Sequence, residues 1–423
     1  MIGRLGSALI TTIGLVLAPL CQGGGHAAVT APHTVVMDGQ ALAAVKTQLV
    51  TGSAPKATRS AYSLLLKTAD ADLKAGPWSV LDKPQTPPSG DKHDYMSQAP
   101  YWWAGAKTAD NPMGCPYINK DGQRNPEADA ITDHTYRMVA WDAIRDLALA
   151  WYYSGDSKYA ARAELDIRTW FLNPATAMNP NLNFAQIIPC STKISGTGII
   201  DSSQSLTQVL DAVTVLESGA PGWNGKDSTG LKAWFTKFLS WMQTSPQAKL
   251  ELAATNNHGS FIDQQNAAMA VYIGNTKLAK SIVESVKLNR IDKQIKPDGS
   301  QPLELSRTMS WHYANFNLVA LGRLAEIGKN LGIDLWHYTS PSGGNLLKAV
   351  DFLIPAAEQG QSVWPYQQIN VFDQSIAVDI FHAAADQAKD KNAAAAIAKT
   401  PVPTLGDLWP IRPGVTSLDP PLK

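Results

Sequence analysis

Residues 141–170 read WDAIRDLALAWYYSGDSKYAARAELDIRTW. Trp141, Ile144, Ala148 and Trp151 recur at three and four positions, the spacing that lines one face of an α-helix. After Gly155-Asp156-Ser157 the pattern resumes with Ala160, Ala163, Ile167 and Trp170. A glycine suits the end of one helix because it enters left-handed backbone space without strain. An Asp or Ser suits the start of the next because its oxygen accepts from free N–H groups. The stretch therefore predicts an antiparallel helical hairpin.

Working outward, the same periodicity predicts helices over 203–217, 229–245, 261–273, 276–290, 315–329, 345–357 and 371–388, and two more at 38–50 and 56–74. Alternating strand patterns are few. About a dozen helices joined as hairpins, without an internal repeat, predict an all-α chain folded as an α/α toroid, an incomplete barrel of about six to seven hairpins. Three stretches, 76–130, 173–200 and 291–312, lack helical spacing. Loops of that length in a compact domain are usually functional or disordered, and their composition favours function. The first holds Tyr95, Tyr101, Trp102, Trp103 and Tyr117, and the second holds Cys190 and Gly196-Thr197-Gly198. No linker composition divides the chain, so residues 32–423 read as one domain.

The N-terminus carries Arg4, an apolar run from Leu9 to Leu17 and small residues from Ala27 to Ala31. That order describes a secretory signal peptide over about residues 1–31 and predicts an exported protein, periplasmic or secreted, with no membrane association after its removal. Cys21 then leaves with the signal. Cys115 and Cys190 remain, either joined as a disulfide or as two separately buried thiols. The 36 basic and 36 acidic residues cancel, which excludes the global basic field of a non-specific nucleic-acid binder. No phosphate loop, nucleotide fingerprint or metal-ligand spacing occurs, so no cofactor or metal is expected. The oligomeric state is left open.

Two segments exceed what structure alone requires. Thr255-Asn256-Asn257-His258-Gly259-Ser260 precedes an apolar helix, where Asn or Ser can cap free amides. Two asparagines and a histidine are more than a cap needs, and a helix N-terminus favours an anionic group. Asp298-Gly299-Ser300-Gln301-Pro302-Leu303-Glu304-Leu305-Ser306-Arg307-Thr308-Met309-Ser310-Trp311-His312-Tyr313 leads into the next helix. Arginine offers a planar fork to a carboxylate, while tyrosine and histidine can move protons. On the structural side, Trp311 reads as core, Glu304 as a partner for Arg307, and His312 as a satisfied histidine.

Asn256-Asn257-His258, followed by Asp-Gly-Ser-x-Pro-Leu-Glu-x-x-Arg and His-Tyr-x-x-Phe-x-Leu, resembles the alginate lyase family and related glucuronan lyases of α/α-toroid fold. Pro88-Ser89-Gly90-Asp91-Lys92-His93-Asp94-Tyr95-Met96-Ser97, Pro100-Tyr101-Trp102-Trp103, Asp121-Gly122 and Asn125-Pro126-Glu127 extend the resemblance over about residues 88–330. It implies β-elimination on a uronic-acid polymer without a metal. Asn257 and Arg307 would neutralise the substrate carboxylate, and His258 and Tyr313 would share base and acid duties. The Arg307-to-Tyr313 spacing of six is one shorter than the family's, which on a helix would turn the side chain by about 100°. The aromatic residue that usually follows the histidine closely has its nearest counterpart in Phe261. Asn256, Tyr101, Trp102, Trp103, Arg124, His134, Lys193 and His312 are candidate contacts to the acidic polysaccharide.

Two other readings compete. A glycoside hydrolase on the same toroid would need a pair of carboxylates, for which Asp263 and Glu304 can be nominated. A non-catalytic polysaccharide-binding protein would use the aromatic residues without His258 or Tyr313.

Overall fold

The computed structural model describes residues 30–416 and 418. The charged start and apolar run of the expected signal peptide lie outside these residues. The hairpin that fixed the fold expectation forms as read. Helix α3, Asp133–Ser154, ends on Gly155 at φ 73°, and the Asp156 side chain accepts from the Lys158 N–H to open α4, Ser157–Ile167. Two helices precede it, α1 at Gly39–Val50, capped by Asp38, and α2 at Lys56–Asp72. The chain continues through α5 (Leu206–Glu217), α6 (Gly225–Thr244), α7 (Pro246–Leu252), α8 (Asn257–Tyr272) and α9 (Thr276–Val286). It ends with α10 (Ser310–Leu331), α11 (Leu346–Gln359), α12 (Val378–Gln387) and α13 (Lys391–Ile397).

Burial sorts these helices into two layers. In α9 the buried positions are Ala279, Val283 and Val286, a single stripe. In α8 every residue from Gly259 to Ala270 is buried, and α5 and α10 are similar. A helix apolar or paired on all sides belongs inside. α8 accordingly packs against α6, α9 and α10, while α3 packs against α2, α4 and α5. Inner helices backed by outer ones make the all-α toroid.

Several boundaries differ from expectation. α8 begins at Asn257 rather than 261, and α10 at Ser310 rather than 315, so both chemical motifs enter first helical turns. Short turns at Asp292–Gln294 and Pro302–Leu305 break the third expected loop. α12 starts only at Val378, because the Asp373 side chain caps a separate turn at Gln374–Ala377. α7 and α13 were too short for periodicity to register.

The other two long stretches meet each other. Strand β1, Met96–Gln98, pairs in parallel with β4, Phe184–Ile187, while β2, Trp102–Trp103, pairs antiparallel with β3, Ile118–Asn119. A disulfide joins Cys115 to Cys190 across the two stretches, with Cα atoms 5.9 Å apart, and settles the two-thiol alternative. Gly198 lets them close: a Cβ there would lie 2.2 Å from the Ala185 carbonyl oxygen.

Elsewhere the first and last described segments pack together. The Asp38 N–H donates to the Pro413 carbonyl at 3.0 Å, and the Asp211 carboxylate in α5 accepts from the N–H groups of Val35, Val36 and Met37.

Candidate active site

Asn257 and His258 occupy the first turn of α8. Asn256 holds the N-cap position, but its side chain makes no capping bond. Glu304, brought over by the turn at Pro302–Leu305, caps the helix instead. Its Oε1 accepts from the Asn257 N–H and its Oε2 from Asn257 Nδ2, both at 2.7 Å. Glu304 therefore pairs with Asn257 and not with Arg307, contrary to expectation. Burial raises its carboxyl above the ordinary range despite these bonds and the charges of Arg307 and His258. The Asn257 Oδ1 is buried and has no hydrogen-bond partner among the described residues.

His258 Nδ1 lies 2.6 Å from Oε1 of buried Glu251, at the end of α7. An ionised carboxylate only accepts, so Nδ1 carries a proton and Nε2 is the nitrogen left for a ligand. Burial pulls the imidazole pKa down, but the charge and hydrogen bond of Glu251, with Glu304 behind them, leave it raised above 6.5.

The α7–α8 junction is held from below. Arg290 donates to the carbonyls of Leu252 and Ala254 at 3.0 and 2.6 Å and to Asp263 at 2.8 Å. It covers the junction so closely that a Cβ on Gly259 would sit 2.3 Å from its guanidinium, which accounts for the glycine after His258. A buried amide chain then ties α8 to α10. Gln294 donates to the Asn256 carbonyl at 3.1 Å, and its oxygen accepts from Ser260 and Asn317. Asn317 also donates to Gln301 at 2.7 Å, and Gln301 donates to the Ala314 carbonyl, next to Tyr313.

Arg307 follows the Pro302–Leu305 turn and Tyr313 lies in the first turn of α10. The residues between them are not one helix, so the missing position does not rotate one side chain away from the other. The guanidinium carbon sits 3.6 Å from the Tyr313 ring centroid. Asp121 fixes it, its carboxylate accepting from Arg307 Nε at 3.1 Å and from the Thr308 N–H at 3.1 Å. Gly122 permits this contact, since a Cβ there would lie 2.5 Å from Thr308 Oγ1. The Tyr313 hydroxyl donates to the Tyr101 hydroxyl at 2.9 Å. Burial, followed by Tyr101, pushes the Tyr313 phenol well above 10, partly opposed by Arg307.

Asn257, His258, Glu304, Arg307, Tyr313 and Tyr101 thus form one electrostatic cluster. The Alginate lyase family model matches residues 79–364. The chain belongs to the alginate lyase family. It is 39% identical to an alginate lyase from Bacteroides ovatus of known crystal structure, with a TM-score of 0.84, covering 92% of this chain and 100% of that one. Two structures of alginate lyase A1-III in complex with tetrasaccharide, a His-to-Ala and a Tyr-to-Phe variant, share the fold. They are 15% and 16% identical, with TM-scores of 0.56 and 0.55, each covering 91% of this chain and 97% of theirs. No curated protein sequence matches. The protein is a polysaccharide lyase.

The peripheral residues of this alginate lyase family member separate. Tyr101 reaches the cluster directly. Trp103 is half-buried, its Nε1 donating to the Gln123 carbonyl at 2.8 Å and its ring 4.9 Å from the Lys120 ammonium, while Asn125 Nδ2 holds the Trp102 carbonyl at 2.9 Å. Trp103 thus anchors its loop through its ring, and Trp102 through its backbone carbonyl. His312 lies beside the site, stacked on Phe316 and edge-on to Tyr313. Phe261 is core, packed on Phe316 at 4.4 Å between centroids, and Trp311 is core, between Trp364 and Phe372. Exposed Arg124 pairs with Asp129, and His134 stands 3.7 Å from buried Asp201. Lys193 is exposed in the second loop.

Sequence reading missed the roles of Asp121, Glu251, Glu304 and Gln294. Asp121 and Glu304 sit inside quoted motifs, and for Asp121 the need of Arg307 for a carboxylate was the available signal. Glu251 and Gln294 had none, because they reach the site from separate helical segments. Asp263, nominated for hydrolysis, is engaged by Arg290, and both Glu304 oxygens by Asn257.

Proposed function

We propose that the enzyme cleaves a uronic-acid polymer, alginate (including polymannuronate) or glucuronan, by β-elimination carried out by its own side chains. The single observation that supports this most is the stack of Arg307 on Tyr313 within electrostatic reach of an Asn257–His258 pair held by two buried glutamates. A C5–H bond is a poor acid until the adjacent carboxylate accepts charge, so the main requirement is for preorganised donors around that carboxylate. Asn257 Nδ2, which keeps one N–H beyond its bond to Glu304, and the Arg307 guanidinium supply them.

His258 Nε2 takes the proton from C5. Tyr313, protonated at neutral pH because of its burial, returns a proton to the C4 oxygen as the C4–O bond breaks. One chain leaves with a hydroxyl and the other with a C4=C5 double bond, so protons and electrons balance. Two variants of alginate lyase A1-III, which shares the fold, are known in complex with tetrasaccharide, and this supports an oligosaccharide-binding role here. The Cys115–Cys190 bridge supports an exported enzyme, since such bonds persist in oxidising compartments.

The test is ultraviolet absorbance of unsaturated uronate ends on alginate, polymannuronate, polyguluronate and glucuronan. Growth of absorbance that His258→Ala lowers by ~10²-fold or more is expected. Reducing ends without absorbance would replace the reading with hydrolysis.

A further inference from the structure

We propose that Gln368 is a positioning residue for the reaction: it caps the first turn of α10 from a separate segment and so sets Tyr313 against Arg307. This rests on the reading of Tyr313 as the proton donor.

The need for it arises in the backbone between the two side chains. Thr308 and Met309 lead from Arg307 into α10, and Met309, in the N-cap position, makes no side-chain capping bond. The first N–H groups of a helix have no partner within it. Ser310 and Trp311 are fully buried, so water does not serve theirs.

Segment 367–369 supplies both partners. Met309 pairs antiparallel with Gln368. The Ser310 N–H donates to the Gln367 carbonyl and the Ile369 N–H to the Thr308 carbonyl, each at 3.0 Å. Between these backbone bonds the Gln368 side chain reaches the helix, where its Oε1 accepts from the Trp311 N–H at 3.1 Å. Tyr313 is tied to the same turn, its N–H donating to the Met309 carbonyl at 3.0 Å. Both site helices are thus capped from outside, α8 by Glu304 at Asn257 and α10 by Gln368 one turn from Tyr313. Gln368 lies beyond residues 79–364, which the family model matches.

Because two backbone bonds flank it, loss of the Gln368 oxygen leaves the segment attached and loosens only the first turn of α10. Displacing a reacting group by about 1 Å costs up to about 10²-fold in rate. The proposed carboxylate contacts of Asn257 and Arg307 stay in place, so the effect falls on kcat rather than on KM.

The experiment compares Gln368→Met, which keeps the length of the side chain and removes the acceptor, with Gln368→Glu, which keeps one where a helix N-terminus favours it. In Gln368→Met, kcat on a polyuronate is expected to fall about tenfold while KM changes by less than about twofold. Gln368→Glu should recover most of the lost kcat. Wild-type kcat in Gln368→Met would overturn the proposal. Equal losses in both variants would do so too, because the acceptor would not be what matters, and a rise in KM at constant kcat would make Gln368 a substrate contact instead. If Gln368→Met does not fold, Gln368→Asn draws the oxygen back by one carbon and should show the same split in milder form; wild-type kcat there would overturn the role. A wild-type enzyme that makes no unsaturated ends from any polyuronate would remove the underlying function. If it makes them and Gln368→Met keeps its kcat, the positioning role fails alone.

Discussion

Asp201 and Asp211 are both buried to 2% exposure, yet the first carboxyl is lowered to about 2 and the second is raised to about 6. Burial pushes both upward. At Asp201 the charge of His134, with the bonds from Ser97 and Gln186, reverses the push. At Asp211 the backbone N–H groups of Val35, Val36 and Met37 and the more distant Arg323 do not. Asp201 belongs to the region of the site loops. Asp211 belongs to the region where the first and last described segments pack on α5 and α10. Along α10 these regions are about 15 Å apart, from Tyr313 in the first turn to Arg323, at about 1.5 Å per residue. The difference teaches that at Asp201 the charge and side-chain donors together outweigh burial, whereas the backbone donors at Asp211 do not. In the site region Arg307 and Thr308 likewise hold the Asp121 carboxyl below its ordinary range against the push of burial.

The sharpest way to break the comparison is to remove chemistry from one region without touching stability in either. Tyr313→Phe keeps the ring under Arg307 and deletes the hydroxyl. A ~10³-fold or larger fall in kcat/KM is expected, about 4 kcal/mol in barrier, with the melting temperature nearly unchanged. A melting shift that accounts for the lost activity would instead make the hydroxyl structural.

Glu304→Gln comes second. Glutamine offers one acceptor and one donor where Asn257 presents two donors, so either the helix cap or the Asn257 amide loses its partner. Kinetics should show a ~10²-fold loss in kcat, and denaturant unfolding a loss of about 1–2 kcal/mol. Wild-type kcat would show that Asn257 does not need this orientation.

These two residues also mark how far the sequence could be read. The hairpin at 141–170 was legible because periodicity and its Gly155-Asp156 punctuation are local. Asn257, His258, Arg307 and Tyr313 were legible through the motifs that contain them. The spacing of six between Arg307 and Tyr313 misled because the rotation argument assumed one continuous helix, and the Pro302–Leu305 turn ends before Arg307. Glu251, Gln294 and Asp201 were illegible in principle: each acts by burial beside a residue from another element, and burial between elements leaves no periodic trace.

In the region around Asp211, stability should respond to pH in the direction opposite to that around Asp201. Asp211 binds its proton more tightly folded than unfolded, so its contribution falls as pH rises from about 4 to about 6, by about 3 kcal/mol. Asp201 is the reverse, and its contribution is lost as pH falls from about 4 to about 2. Asp211→Asn should therefore flatten the difference in unfolding free energy between pH 4 and 6 relative to wild type, while kcat stays unchanged. An unaltered slope would show that the backbone donors already hold Asp211 ionised.

The smallest expected effect is the most discriminating about mechanism. Glu251→Gln keeps an acceptor for His258 Nδ1 but removes the charge that raises the imidazole pKa. With the charge gone, His258 loses its proton at lower pH. If neutral His258 takes the C5 proton, the acid limb of kcat/KM moves to lower pH, and the plateau falls only roughly threefold because a weaker base transfers the proton less readily. Stability should follow the same pair: its contribution is complete below 6.5 and lost as pH rises through the raised value, so the variant should lose less stability across that interval. A shift confined to the alkaline limb would mean that the cationic form is the working one. His258 would then join Asn257 and Arg307 in neutralising the carboxylate, and both protons would pass through Tyr313.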